Sequence, residues 1–261
     1  MKTKNLSFYK YQGTGNDFIL FDNRSLSFPK NDTKLVARLC DRKFGIGADG
    51  LMLLEDDDSS DFRMVYYNAD GREGSMCGNG GRCMVDFAHY LGIIKDTATF
   101  NAVDGLHTAQ WEPGNVKLQM QNVADIKEKP QYVFLDTGSP HHVQLIENIE
   151  DYDVHGEGKR LRYGLYGESG SNINFVEQLK EDTFAVRTYE RGVEAETLSC
   201  GTGVTAVALG MHHLGKTSKD TIALKTRGGV LEVGFKNTEN GYEEISLRGP
   251  VSQVFQGTIA I

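Results

Sequence analysis

The stretch Ser75–Gly92, SMCGNGGRCMVDFAHYLG, returns in altered form as Ser199–Gly215, SCGTGVTAVALGMHHLG. Each carries Cys-Gly-x-Gly at its front, an apolar body, an aromatic or histidine pair, and Leu-Gly at its end. Cys77 and Cys200 stand 123 residues apart (200 − 77), and so do Gly92 and Gly215 (215 − 92). Glycines followed by apolar residues at helical spacing predict a tight loop feeding a helix. Two such elements in register predict a duplicated chain.

The duplication extends outward from the two helices. GTGND, with Asn16, matches DTGSPHH, with Ser139; MVYYNADG, with Asn68, matches AVRTYERG, with Glu190. GADGLMLL, with Gly50, faces SNINFVEQL, with Asn172. Similar tails follow both helices, DTATFNAVDGLHTAQW and DTIALKTRGGVLEVGF. A boundary near QNVADIKEKPQ gives halves 1–122 and 123–246, and the closing stretch 247–261 is assigned to the first half because SQVFQGTIAI resembles LSFYKYQGTG. Segments such as LHTAQWE, VKLQMQ, FAVRTYE and GVLEVGF read as short alternating strands between Gly, Asn and Asp turns. Val204, Val207, Ala208, Met211 and Leu214 fall at helical spacing on a helix apolar on nearly all sides, and such a helix is buried. The expected fold is α+β: two pseudo-symmetric domains, each a mostly antiparallel sheet curled around a central helix, with the active site in the cleft between them.

Composition narrows the function. The chain has 261 residues, 39% hydrophobic and 25% charged, as expected of a soluble globular protein. A net charge of −8 argues against a nucleic-acid or anionic-membrane surface. Neither an eighteen-residue apolar run nor an apolar signal core is present, so a cytoplasmic location is expected. Cys40, Cys77, Cys83 and Cys200 include no CxxC pair, so no metal site is expected, and a reducing cytoplasm would keep them as thiols. Cys40 and Cys83 read as core filler. No cofactor is expected either: GIGADG is not followed by a dinucleotide-binding βαβ pattern, and no phosphate-binding GxxxxGK[ST] loop occurs.

A cysteine followed by Gly-x-Gly and a helix sits where unpaired backbone N–H groups and the macrodipole favour an anion. There a thiolate becomes accessible near neutral pH, and the same N–H groups can hold a carboxylate. Two such thiols suit the inversion of an amino-acid α-carbon, one removing the α-proton and the other protonating the opposite face.

GTGNDF, RKFGIGADG, YNADG, MCGNGGRC, TGSPHH, SNINF and YERG…ETLSCGTG together resemble the diaminopimelate epimerase family, over a span from Gly13 to Gly203. The resemblance implies cofactor-independent interconversion of LL- and meso-diaminopimelate, for lysine and peptidoglycan precursors. It implies Cys200 as the group that deprotonates the LL isomer and Cys77 as the opposite proton carrier. Gly78, Asn79, Gly201 and Thr202 would hold the reacting carboxylate, and Asn16, Asn68, Asn172 and Arg191 the rest of the substrate. Glu190 would accept from an ammonium and, with His141, provide polar support around the thiols. His212 and His213 read as structural. Two departures concern substrate contact: Ser139 stands where the family commonly has Asn, and Gly50 where some members have Gln. ERGVEAETLSC also carries one residue more than the usual spacing. Other readings stay open: a proline or hydroxyproline racemase, for which the polar set around Arg191 would be surplus; a reversible disulfide between Cys77 and Cys200; and a non-catalytic binder. A homodimer is compatible with the sequence.

Overall fold

A computed structural model describes residues 4–261. Its chain forms two compact units, one comprising residues up to Leu118 together with Pro250–Ile261, the other Gln119–Gly249. The first unit runs β1 (Asn5–Gly13), β2 (Asn16–Asp22), α1 (Thr33–Cys40), β3 (Gly50–Glu55), β4 (Phe62–Asn68), α2 (Gly78–Tyr90), β5 (Thr97–Ala102), β6 (Gly105–Glu112) and β7 (Asn115–Gln119). The second runs β8 (Ile126–Lys129), β9 (Tyr132–Asp136), β10 (Pro140–Leu145), a 3-10 turn (Ile149–Asp151), α3 (Val154–Gly164), β11 (Asn172–Lys180), β12 (Thr183–Glu190), β13 (Ala195–Thr197), α4 (Gly201–His213), β14 (Thr221–Thr226), β15 (Gly229–Thr238) and β16 (Gly241–Pro250). The last strand, β17 (Ser252–Ala260), pairs antiparallel with β1.

Strand order in the first unit is β17-β1-β2-β3-β4-β5-β6-β7. In the second it is β8-β9-β10-β11-β12-β14-β15-β16. The orders match strand for strand. All pairs are antiparallel except β2–β3 and β4–β5, and their counterparts β10–β11 and β12–β14. A parallel pair needs a crossover, and each of these four is bridged by one of the four helices. The two units are therefore the same α+β fold, mostly sheet, written twice.

The two crossover helices of the first unit lie on opposite faces of its sheet. Val36, Leu39 and Cys40 of α1 join a core with Ile19, Phe21, Leu51, Leu53 and Val65. The alternate residues face α2: a Cβ built on Gly80 would meet Met52 Sδ at 3.0 Å and Phe18 at 3.5 Å. Central strands β2 and β3 are thus apolar on both faces and read as continuous runs, whereas alternation belongs to outer strands such as β7 and β14. Helix α2 packs on β1, β2, β3, β4 and β6, and α4 on β9, β10, β11, β12, β14 and β15. On α4, every residue from Gly203 to Met211 is buried. Enclosure of this kind requires the helix to be apolar all round, as the sequence predicts. Among the described residues no helix is long and apolar enough to cross a membrane.

Enclosure makes the helix faces sensitive to volume. Phe87 of α2 is fully buried, its ring 4.8 Å from that of Tyr9 and 5.9 Å from that of Tyr11. Phe87→Ala should cost about 3–5 kcal/mol, read as a lower urea midpoint at unchanged slope. Leu106→Ala, on an exposed part of β6, should stay within about 0.5 kcal/mol.

Candidate active site

Both α2 and α4 have thirteen residues, and the residue capping each N-terminus is a cysteine. Cys77 has φ −109 and ψ 124, Cys200 φ −123 and ψ 113, and neither side chain caps its helix. Ser, Asp or Asn in that place would typically stabilise a helix by about 1 kcal/mol, so both units forgo a cap to put sulfur there. The helices end alike, with Leu91 then Gly92 (φ 72), and Leu214 then Gly215 (φ 65). Such left-handed glycines close a helix at no steric cost.

In the first unit Cys77 is half-buried, and its thiol donates to Asn16 Oδ1 at 3.5 Å. The same oxygen accepts from Asn79 Nδ2 at 3.3 Å, while Asn16 Nδ2 donates to Asp49 Oδ2 at 2.7 Å. Arg42 joins Asp49 (2.8 Å) to Asp17 (2.7 Å), and Lys10 pairs with Asp17 at 2.6 Å. Burial alone would raise the Asp17 carboxyl, but bonds from Arg42 and Lys10 outweigh it and hold it at about 2. This ion network anchors the Asn16 loop beside the thiol. Gly78 and Asn79 are buried in the first turn of α2.

In the second unit Cys200 is buried, and its sulfur lies 3.5 Å from Thr202 Oγ1. Thr202 is fixed through its carbonyl, which accepts from Thr137 Oγ1 at 2.8 Å. Gly201 is buried behind it. A Cβ on Gly203 would stand 2.6 Å from Asn174 Oδ1 and 3.3 Å from Cys200 Sγ, so glycine is what lets Asn174 lie against the helix start. Asn174, fully buried, accepts from Thr188 Oγ1 (3.0 Å) and donates to the His142 carbonyl (2.9 Å). It also faces His141 Nδ1 at 3.1 Å. An amide donor at Nδ1 places the His141 proton on Nε2, a fully buried atom with no hydrogen-bond partner among the described residues.

The remaining predicted residues are divided between the units, Asn68 and Gly50 in the first and Ser139, Asn172, Glu190 and Arg191 in the second. Asn172 accepts from the Arg191 backbone N–H (2.9 Å) and donates to the Pro140 carbonyl (3.2 Å). Arg191 is exposed, its guanidinium donating to the Ser169 carbonyl at 3.1 Å. Glu190 is half-buried and accepts from Thr197 Oγ1 at 2.9 Å. Asn68 sits in an exposed turn at the end of β4, its backbone bonded to Arg72 and Gly71. Ser139 is half-buried beside the left-handed Gly138. Gly50 pairs with Asn68 across β3 and β4. A Cβ there would strike the Tyr66 ring at 2.5 Å, with its hydroxyl at 2.9 Å, so Tyr66 fills the space a larger residue would need. His212 bonds Tyr242 at 2.8 Å and is structural, as expected. Among the described residues no group of three or more His, Cys, Asp or Glu is placed to hold a metal ion.

Several supporting residues escaped the sequence reading. Asn174 lies two positions after Asn172 on one strand, hence on the same face; that spacing was the available signal. Arg162 of α3 bonds the Gly167 carbonyl (2.6 Å) and Glu194 (3.2 Å), bracing the two loops that flank Arg191. Glu194 adopts φ 58 within the stretch that carries the additional residue. Nothing in GKRLRYG signals that brace.

Burial, aided by the charge of Arg191, lowers the His141 pKa to about 3, and burial lowers His142 to about 4. Both rings stay neutral in the folded chain but take up protons below about 6.5 once unfolded. Their contribution to stability is therefore complete above pH 6.5 and is lost as pH falls from there toward 3. Urea midpoints should fall across that window, and more shallowly in His141→Asn; an identical slope would contradict the neutral, buried assignment.

A model of the diaminopimelate epimerase family matches residues 8–125 and 133–254. The diaminopimelate epimerase of Flavobacterium psychrophilum is 56% identical over 256 residues, spanning 97% of this chain and 100% of that protein. That of Chlorobaculum tepidum is 42% identical over 260 residues, spanning 95% and 99%. A Bacillus anthracis phenazine biosynthesis protein of the PhzF family superposes with TM-score 0.80 at 14% identity, over 99% of this chain and 100% of that one. A probable proline racemase from Agrobacterium radiobacter gives 0.70 at 15%, over 98% and 93%. At that identity these two structures share the fold alone. The family match on both halves and the full-length relatives settle its membership: the chain belongs to the diaminopimelate epimerase family.

Proposed function

We propose that this chain interconverts LL- and meso-diaminopimelate by proton transfer between two cysteines, without a cofactor, on the cytoplasmic route to lysine and peptidoglycan precursors. Family membership makes it an isomerase of the epimerase type; substrate and mechanism are our reading. One observation carries it: equivalent helices in both units start at a cysteine whose side chain does not cap the helix.

In this reading the thiolate of Cys200 takes the α-proton of the LL isomer. Negative charge then develops on the substrate carboxylate, where the N–H groups that start α2 and α4 have no intrahelical acceptor. Those donors are fixed in advance and favour the charge as it forms. Cys77 delivers its proton to the opposite face and is left as the thiolate, so the reverse reaction starts with the roles exchanged. Neutral His141, with its proton on Nε2, is suited to donate toward the Cys200 thiolate. Glu190 takes the substrate ammonium, and Arg191 the distal carboxylate through a bidentate pair. Asn16, Asn68 and Asn172 complete the polar set. Tyr66, whose ring and hydroxyl occupy the space beside Gly50, would take the place of the longer side chain that the resemblance puts there in some members.

Cys77→Ala and Cys200→Ala should each lower kcat by roughly a thousandfold or more in a folded protein, while Cys40→Ala, remote in the α1 core, retains most activity. In D₂O, early turnover of the LL isomer should place deuterium in the meso product and leave recovered LL substrate largely protiated. Separate thiols predict this because the proton removed and the proton delivered reside on different groups. Substrate that labels as fast as product forms would sink the two-thiol mechanism, and absence of any isomer interconversion would sink the activity.

A further inference from the structure

The repeat is faithful in backbone and broken in chemistry. In the second unit, polar His141 and Asn174 lie near the start of α4. Their counterparts in strand register are Phe18 and Met52, which pack against α2 at Gly80. The polar residue on the first-unit side is instead on the helix itself. Arg82 is fully buried at the position that Thr205 occupies in α4. Thr205 merely returns a bond to the Gly201 carbonyl at 2.9 Å.

Arg82 has an unusual set of partners. Its Nη1 donates to the Gly78 carbonyl and its Nη2 to Thr14 Oγ1, both at a long 3.4 Å, and its Nε has no partner among the described residues. Among the described residues it forms no ion pair with a carboxylate. A guanidinium cannot shed its proton under ordinary conditions, and a buried charge without a partner costs several kcal/mol. A helical side chain leans back toward the N-terminus, which brings the Arg82 charge to the turn that begins at Cys77. Gly13, the first glycine of GTGND, makes room for it: a Cβ there would stand 3.3 Å from Nη2.

We infer that Arg82 is a positioning residue whose buried guanidinium is the internal counter-charge of the Cys77 thiolate. The assignment rests on the reading of Cys77 as a proton carrier. The titratable side chains whose charge bears on Arg82 are Cys83 and Cys77. Complete burial pushes the Cys83 thiol far above the ordinary cysteine range, with Asp86 pushing the same way and Arg82 opposing. From β1, Tyr11 lies against Cys83, and its phenol too is raised by burial. Cys83 and Tyr11 therefore stay neutral, which leaves Cys77 as the anion Arg82 can serve. The buried cation on the Cys77 side has no counterpart in α4, where Thr205 stands at the equivalent position.

The test is the pH dependence of iodoacetamide alkylation at Cys77 and Cys200, resolved by peptide mass spectrometry on the intact protein without substrate. Wild-type Cys77 should titrate below the ordinary cysteine value. Arg82→Met, which removes a charge while keeping bulk, should shift the Cys77 profile to higher pH and slow its alkylation at pH 7 roughly tenfold. Arg82→Lys should restore most of the shift, and the Cys200 profile should not move. In the meso-to-LL direction, the acid limb of kcat/KM should move up with the Cys77 profile. An ordinary titration of wild-type Cys77, or a folded Arg82→Met in which it does not move, overturns the assignment. Should Arg82→Met not fold, Arg82→Gln, which removes the charge but keeps an amide donor, takes its place, and an unmoved Cys77 profile there is equally fatal. Alkylation needs no turnover, so a shifted profile in a chain that does not epimerise diaminopimelate removes the proposed function and leaves the counter-charge standing.

Discussion

Enclosing a helix inside a curved sheet determines most of what each unit can do. Its flanks are mostly apolar or very small, because every turn meets a strand, and the buried Arg82 of α2 is the large polar departure. Its N-terminal N–H groups cannot be satisfied within the helix, and in neither unit does the capping side chain satisfy one. In α4 polarity is thereby concentrated at the start of an otherwise apolar element, whereas α2 also buries Arg82 in its second turn. Strand ends and loops then bring their amides, hydroxyls and charges to the helix start, as the Asn16 loop and the Asn172–Asn174 strand start do.

The sequence was most legible where one rule governs a whole element. The repeat could be read because both halves keep the same loop-helix spacing, and α4 because its apolar residues surround it. Reading failed where two constraints overlap. Helices α1 and α3 are absent from the sequence reading although each begins at an Asp that accepts from the third residue on, Asp32 from Leu35 and Asp153 from Gly156. They are short, and the signal at their starts is shared with ordinary turns. Gly50 could be noted as a departure, but its reason lies on another strand, in the ring of Tyr66. Arg162 reaches Glu194, 32 residues on, which no local pattern can announce, whereas Asn174 is signalled only by its spacing from Asn172.

Duplication gave the two thiols the same backbone and left their surroundings to diverge. Phe18 and Met52 on one side answer His141 and Asn174 on the other, while Arg82 answers Thr205. In the proposed two-thiol reading, symmetric chemistry on a substrate that is not symmetric about its reacting carbon would serve one isomer poorly. Backbone symmetry with side-chain asymmetry lets each face be tuned without disturbing the helix that carries it.

Strand β17 has a consequence for synthesis. The first unit is assembled from residues on both sides of the second unit in the chain, since β1 lies between β2 and β17. While a ribosome is still making the second unit, β1 presents a row of unpaired amides and carbonyls along one side. The second unit, contiguous from Gln119 to Gly249, has all its strands before the first unit has its last. The half made first is therefore completed last, and a chain released before β17 is made would carry one finished fold and one open edge, ready to pair with another nascent copy.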